Sequence, residues 1–169
     1  MIERAFVAVL SKVYHELQGN KVNWAVTGSL NFALQGLPIT PHDIDIQTDE
    51  AGAYETERRF AFYIARKVVF SSTERIRSHF GALQIDGITV ELMGDLQKRL
   101  PDGSWEDPVD LDRQKRFVAF EGMDVPVLSL EYEAQAYRKL GRLERAQMLQ
   151  EAPDRFQPRS TEDNDHRSL

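Results

Sequence analysis

His42-Asp43-Ile44-Asp45-Ile46-Gln47 is the stretch on which the reading of this chain turns. It alternates strictly, and the side chains of a strand repeat every second residue. Asp43 and Asp45 therefore share one face, and Ile44 and Ile46 share the other. The isoleucines can enter a core while the two carboxylates converge outside it. Two like charges held that close repel unless a cation sits between them. Hard oxygen ligands favour Mg²⁺ or Mn²⁺ over zinc.

Upstream, Pro38, Thr40 and Pro41 separate this strand from a short expected helix, Leu30 to Leu37. Before that, Val22-Asn23-Trp24-Ala25-Val26 reads as a mostly apolar strand that ends at Gly28-Ser29. Residues 2–18 carry Phe6, Val7, Leu10, Val13 and Leu17 at helical spacing, with Gly19-Asn20 as a stop.

Downstream, Asp49 is a good N-cap for a helix from Ala51 to Arg66, with Tyr54, Phe60, Ala61 and Ile64 as its buried side. Lys67 to Phe70 reads as a strand. Phe80–Ile85 and Ile88–Met93 read as a hairpin through Asp86-Gly87, a pair of residues that tolerates positive φ. Pro101 to Ser104 is turn-rich. Arg116–Phe120 and Val125–Leu128 form a second expected hairpin through Glu121-Gly122. Ser129 caps a helix from Leu130 to Leu140, and helical character resumes from Arg142 to Glu151. The expected fold class is α/β (α+β): a mixed sheet flanked by helices, with helices at the C-terminal end. One domain, 1–152, is followed by a polar tail, 153–169, read as disordered.

Glu91 repeats the logic of the aspartates, lying between Val90 and Leu92. A two-residue turn at Asp86-Gly87 puts Ala82 opposite Glu91, and the small side chain leaves room beside the carboxylate. Three carboxylates on strand faces could hold two metals about 3.5–4 Å apart, an arrangement suited to phosphoryl transfer. Gly28-Ser29 supplies the complement. Backbone N–H groups at a strand-to-helix corner can face a phosphate, glycine allows close approach, and the Ser29 hydroxyl can add a hydrogen bond.

These residues together resemble the nucleotidyltransferase superfamily related to DNA polymerase β. The matching run is Val26-Thr27-Gly28-Ser29, a gap of thirteen residues, Asp43-Ile44-Asp45-Ile46, then Ile88-Thr89-Val90-Glu91-Leu92. It is most similar to the small bacterial branch that contains lincosamide, aminoglycoside and toxin–antitoxin nucleotidyltransferases, over about residues 20–95. The resemblance implies that Asp43 and Asp45 bind both metals. It implies that Glu91 binds the catalytic one and assists deprotonation of an acceptor. Glu stands at that third position where Asp is common. In related enzymes a basic residue from a later helical region steadies the triphosphate, which brings in Lys139 and Arg142, with Arg145 beside them. Solvated helix charge is the plainer account of these cations.

The bulk numbers bound the rest. A chain of 169 residues fits one domain. It has no cysteine, so disulfides, zinc–thiolate sites and thiol nucleophiles are excluded. A net charge of -6 argues against binding an extended DNA duplex. No run of apolar residues is long enough to span a bilayer and no signal peptide is visible, so a cytoplasmic, membrane-free protein is expected.

Arg77 and His79 alternate on the strand before the hairpin and, by the expected register, lie on the face opposite Glu91, as structural partners. Trp24 reads as core, Trp105 as a loop aromatic and His42 as exposed or outside the ligand set. Two functions compete. The first is a metal-dependent enzyme that transfers NMP from an NTP to a hydroxyl of an unidentified acceptor (small molecule, protein or RNA end) and releases pyrophosphate. The second is a non-catalytic or antitoxin-like interaction protein of the same fold, with a protein partner or a second copy of the chain.

Overall fold

The apolar stripe near the N-terminus folds as α1 (Arg4–Leu17), burying Phe6, Val9, Leu10, Val13 and Leu17. In this computed structural model the described residues are 2–19, 22–151 and the backbone of 159–160. After α1 come β1 (Trp24–Thr27), α2 (Gly28–Leu34), β2 (Ile44–Thr48) and α3 (Glu50–Arg59). A 3-10 turn at Ala61–Tyr63 leads into β3 (Ile64–Ser72), β4 (Ile76–Ile85) and β5 (Ile88–Lys98). The chain continues through α4 (Leu111–Gln114), β6 (Lys115–Phe120), β7 (Met123–Leu128), α5 (Leu130–Lys139) and α6 (Leu143–Gln150). A two-residue strand, β8 (Arg159–Ser160), pairs with β6.

The strands form one mixed sheet in the order β3-β4-β5-β2-β1-β7-β6-β8. β2 runs parallel to β5, and β1 runs parallel to β7; the other pairs are antiparallel. One face buries Val26, Ile44, Ile46, Leu83, Val90 and Leu92 against α1 as the main core. The opposite face carries Ala25, which packs with Leu111 and Leu128 and with Tyr132 of α5. The expected α/β class and element order are therefore present.

Both hairpins close as their turn residues require. Ile85 pairs with Ile88, and Asp86 and Gly87 have φ of 49° and 82°. Phe120 pairs with Met123, with Glu121 and Gly122 at 49° and 77°. A turn with positive φ at both central positions matches the strand twist.

Several boundaries differ from expectation. The third helix stops at Arg59, and Ile64 already lies in β3. Pairing of β3 with β4 along its length outweighs the helical periodicity that Ile64 had suggested. The buried face of α3 is accordingly Gly52, Ala53 and Thr56, while Tyr54 is 40% exposed. α2 begins at Gly28 itself and ends at Leu34 rather than Leu37. β5 runs on to Lys98, past a backbone irregularity at Asp95 with φ of 50°. The register between β4 and β5 shifts between Arg77 and His79, with the extra residue on β5 beside Asp95, while β4 pairs regularly with β3 from Arg77 to Phe80, so Arg77 and His79 alternate as expected. The tail expected at 153–169 lies outside the described residues apart from the β8 backbone.

Candidate functional site

The site begins with one rung across four strands. Thr27 of β1 pairs with Asp45 of β2, Asp45 with Glu91 of β5, and Glu91 with Ala82 of β4. Residues paired in register project to the same side of a sheet. Asp45 and Glu91 therefore stand together on the face opposite the main core, and the expected Ala82–Glu91 pairing is present. Asp43 precedes β2 by one residue and is half-buried.

Of these carboxylates Asp45 is the one most affected by its surroundings. Asp45 is pushed up to about 7, chiefly by burial, then by the charge and hydrogen bond of Glu91, with Asp43 and Glu133 adding to it. Its Oδ1 is buried without a hydrogen-bond partner. Such an orphaned acceptor beside a second carboxylate is costly unless a cation joins it. An oxygen-only donor set suits Mg²⁺ or Mn²⁺. Among the described residues no group of three His, Cys, Asp or Glu side chains already stands in a metal-binding arrangement. The fit to a divalent cation rests instead on the Asp45–Glu91 pair and the orphaned oxygen, with Asp43 at the strand entrance.

Gly28 sits against this pair. Its φ is +71°, and a Cβ there would lie 2.5 Å from Asp45 Oδ2. Glycine is thus required both for the backbone turn and for the closeness of the carboxylate. The Gly28 N–H donates to Glu133 Oε1 at 3.2 Å. Ser29 Oγ accepts from the His42 N–H at 3.1 Å, which leaves its own hydroxyl proton to donate elsewhere. His42 is exposed.

Glu133 was not singled out from the sequence, yet it organises the corner. It is 4% exposed and lies on α5. Its Oε1 accepts from the Thr27 hydroxyl, the Gly28 N–H and Asn31 Nδ2. Asn31 also donates to the Leu128 carbonyl at 2.8 Å and accepts from Gln35 Nε2 at 2.7 Å. Burial raises the Glu133 carboxyl against the opposing pull of these donors and of Lys98. A signal existed: Glu133 lies within the apolar stripe Leu130, Ala134, Tyr137 of a helix, where a lone acid must be buried.

A second polar cluster lies farther along the same helix. Lys98, 3% exposed, donates to Glu106 Oε1 at 3.0 Å and to the Tyr132 hydroxyl at 3.2 Å. Lys139 Nζ donates to Glu106 Oε2 at 2.8 Å. Burial opposes the Glu106 charge, but the two lysines win and hold its carboxyl below the usual range. Burial, then the charges of Glu133 and Glu106, push the Tyr132 hydroxyl up. Arg142 and Arg145 lie over the Tyr137 ring at 5.8 and 6.0 Å from its centroid. Both arginines line a cleft of about 480 Å³ with Gly141, Leu143 and Met148. Burial, then the charge of Glu133, push the Tyr137 hydroxyl up against the opposing pull of Arg145 and Arg142. Of the cations named from the sequence, Lys139 is held in an ion pair with Glu106 and Arg142 lies over the Tyr137 ring.

The remaining candidates fall elsewhere. His79 contacts Tyr54 Oη at 3.1 Å, on the α3 side of the sheet. Arg77 Nε donates to Gln97 Oε1 at 3.0 Å and stacks on Trp105 at 4.6 Å. Trp24 is 4% exposed, in the core.

The fold has counterparts. The aminoglycoside-2''-adenylyltransferase family profile matches residues 9–151. A Thermotoga maritima crystal structure assigned as a nucleotidyltransferase is 64% identical, with a TM-score of 0.82 over 89% of this chain and 93% of that one. The lincosamide antibiotic adenylyltransferase LnuA, bound to lincomycin, is 11% identical with a TM-score of 0.53, over 88% of this chain and 98% of that one. ANT(2'')-Ia in complex with adenylyl-2''-tobramycin is 12% identical with a TM-score of 0.56, over 85% and 88%. The last two share the fold. A search of curated proteins gives no match.

Proposed function

Because the chain belongs to the aminoglycoside-2''-adenylyltransferase family, we propose that it transfers NMP from an NTP to an acceptor hydroxyl in a reaction that needs a divalent cation. The family's description favours an adenylyl group, and hence ATP as donor. The observation that carries the reading is the Thr27–Asp45–Glu91 rung, with an orphaned carboxylate oxygen beside a side-chain-free glycine corner.

Asp43, Asp45 and Glu91 would hold Mg²⁺ or Mn²⁺. Bound there, the cation would neutralise the triphosphate and acidify the acceptor hydroxyl. Gly28 lets the phosphates approach Asp45, and the free proton of Ser29 donates to a phosphate oxygen. The acceptor oxygen attacks the α-phosphorus, the bond to pyrophosphate breaks, and the hydroxyl proton passes to the Glu91 carboxylate. Lys139 and Arg142 would steady the outgoing pyrophosphate, Lys139 after exchanging Glu106 for phosphate. The two antibiotic-modifying structures of the same fold favour a small polar acceptor over a long RNA, in keeping with the net charge of -6.

Titration calorimetry with the four NTPs tests the reading. At least one should bind with Mg²⁺ and lose most of its affinity in Asp45→Asn. Absence of binding by every NTP, with and without metal, refutes it. A role in protein association alongside catalysis is favoured by one feature, the exposed apolar residues Phe62, Val69 and Phe70 along the edge strand β3 and the turn before it, where Phe62 is 94% exposed. Sedimentation of the wild type against Phe62→Ser/Phe70→Ser decides it: a monomer in both excludes a self-association role.

A further inference from the structure

Glu133 has no part in the reaction proposed above, and its hydrogen bonds explain an acceptor at this position but not an acid. Three donors from β1 and α2 converge on one of its oxygens, and an apolar residue there would strand them. A neutral acceptor such as glutamine would serve the same donors without burying an acid. Three donors on one oxygen favour the carboxylate form, against the burial that disfavours it. One of them is the Gly28 N–H, the corner amide that a phosphate would otherwise approach. Gly28 also lies against Asp45, whose Oδ2 a Cβ there would meet at 2.5 Å, so Glu133 and Asp45 flank the same corner.

Resting on the nucleotidyltransferase reading, we propose that Glu133 is a positioning residue and a built-in anion at the glycine corner. It holds Thr27 and Gly28 from α5, and its charge makes polyphosphate binding beside Asp45 depend on a divalent cation. The Gly28 amide remains on Glu133 while phosphate is bound, so phosphate recognition falls to Ser29 and to the cation. Glutamine at this position can still accept from all three donors but carries no charge. The substitution therefore separates the bracket from the field.

The test measures binding of inorganic triphosphate, which has no base to match, with excess Mg²⁺ and in EDTA. The wild type should bind with Mg²⁺ and far more weakly without it. Glu133→Gln should bind metal-free triphosphate about tenfold more tightly than the wild type, at nearly unchanged affinity with Mg²⁺. Glu133→Asp, which keeps the charge, should retain the wild-type ratio. An unchanged ratio in Glu133→Gln, or a parallel fall of both affinities, overturns the charge role and leaves the nucleotidyltransferase reading intact. Failure of the wild type to bind triphosphate or any NTP with Mg²⁺ overturns both. Amide exchange in the wild type needs no variant: the Gly28 N–H should stay equally protected with and without Mg²⁺-triphosphate. Altered protection on binding would show that phosphate displaces Glu133, against the proposal.

Discussion

Asp45 and Glu91 are paired in register on parallel strands, and the carboxyl of each lies in the field of the other. Strand pairing thus forces together two groups that would separate in solution. The consequence is a proton that the folded chain holds and the unfolded chain does not. Asp45 rises from an ordinary aspartate to about 7, so between those values the native state binds more protons than the unfolded one. Stability must then fall as pH rises. Metal-free protein should be most stable near the lower end of that window and should lose on the order of 1–3 kcal/mol by neutral pH. Added Mg²⁺ should restore that loss. Urea denaturation at several pH values, with and without Mg²⁺, is the measurement. A flat profile would remove the carboxylate coupling from the account.

Asp45→Asn follows from the same pair. Removing one charge should abolish transfer and Mg²⁺ binding while stabilising the metal-free protein at neutral pH, by about 1–2 kcal/mol. Thermal unfolding and a transfer assay on the same preparation check both parts. Loss of both stability and activity would mean that Asp45 serves the fold rather than the site.

Gly28→Ala should be destabilising and inactive together. The new Cβ needs space 2.5 Å from Asp45 Oδ2, and the backbone φ of +71° disfavours any L side chain. Strain alone costs about 1–2 kcal/mol. Denaturation midpoints give the cost; a near-neutral substitution would contradict the described corner.

The lysine cluster predicts unequal effects from its two partners. Glu106→Ala strands Lys98, whose side chain is 4% exposed, and should cost about 2–4 kcal/mol. Lys139→Ala removes a side chain that is 47% exposed and should cost under about 1 kcal/mol. If Lys139 steadies phosphates, its loss should nevertheless weaken NTP binding severalfold. Calorimetry and denaturation on the two variants separate stability from binding.

The fold was legible where local chemistry and long-range pairing agree. Asp86-Gly87 sets the hairpin register by its own conformational preference, and that register places Ala82 against Glu91. The alternation of residues 43–46 likewise put Asp45 on the outer face and Ile44 and Ile46 in the core. Ile64 was misread because helical periodicity continued into a segment that pairing with β4 draws into a strand. Asp43, at the strand's entrance, is set by the approach from Pro41 as well as by alternation. Glu133 and Lys98 were overlooked for a different reason. Each has meaning only through partners distant in the chain, Thr27 and Gly28 for one and Glu106 and Tyr132 for the other. No local pattern records such a partnership, although an acid inside an apolar helical stripe announces that some partner must exist.

The central claim is tested most directly by incubating the protein with Mg²⁺, a panel of aminoglycoside and lincosamide acceptors together with cell extract, and either α-labelled or γ-labelled ATP. Transfer of the α label to an acceptor, with the γ label recovered only in pyrophosphate and neither event in Asp45→Asn, is the predicted result. Label moving from the γ position, or transfer persisting in Asp45→Asn, would contradict the account.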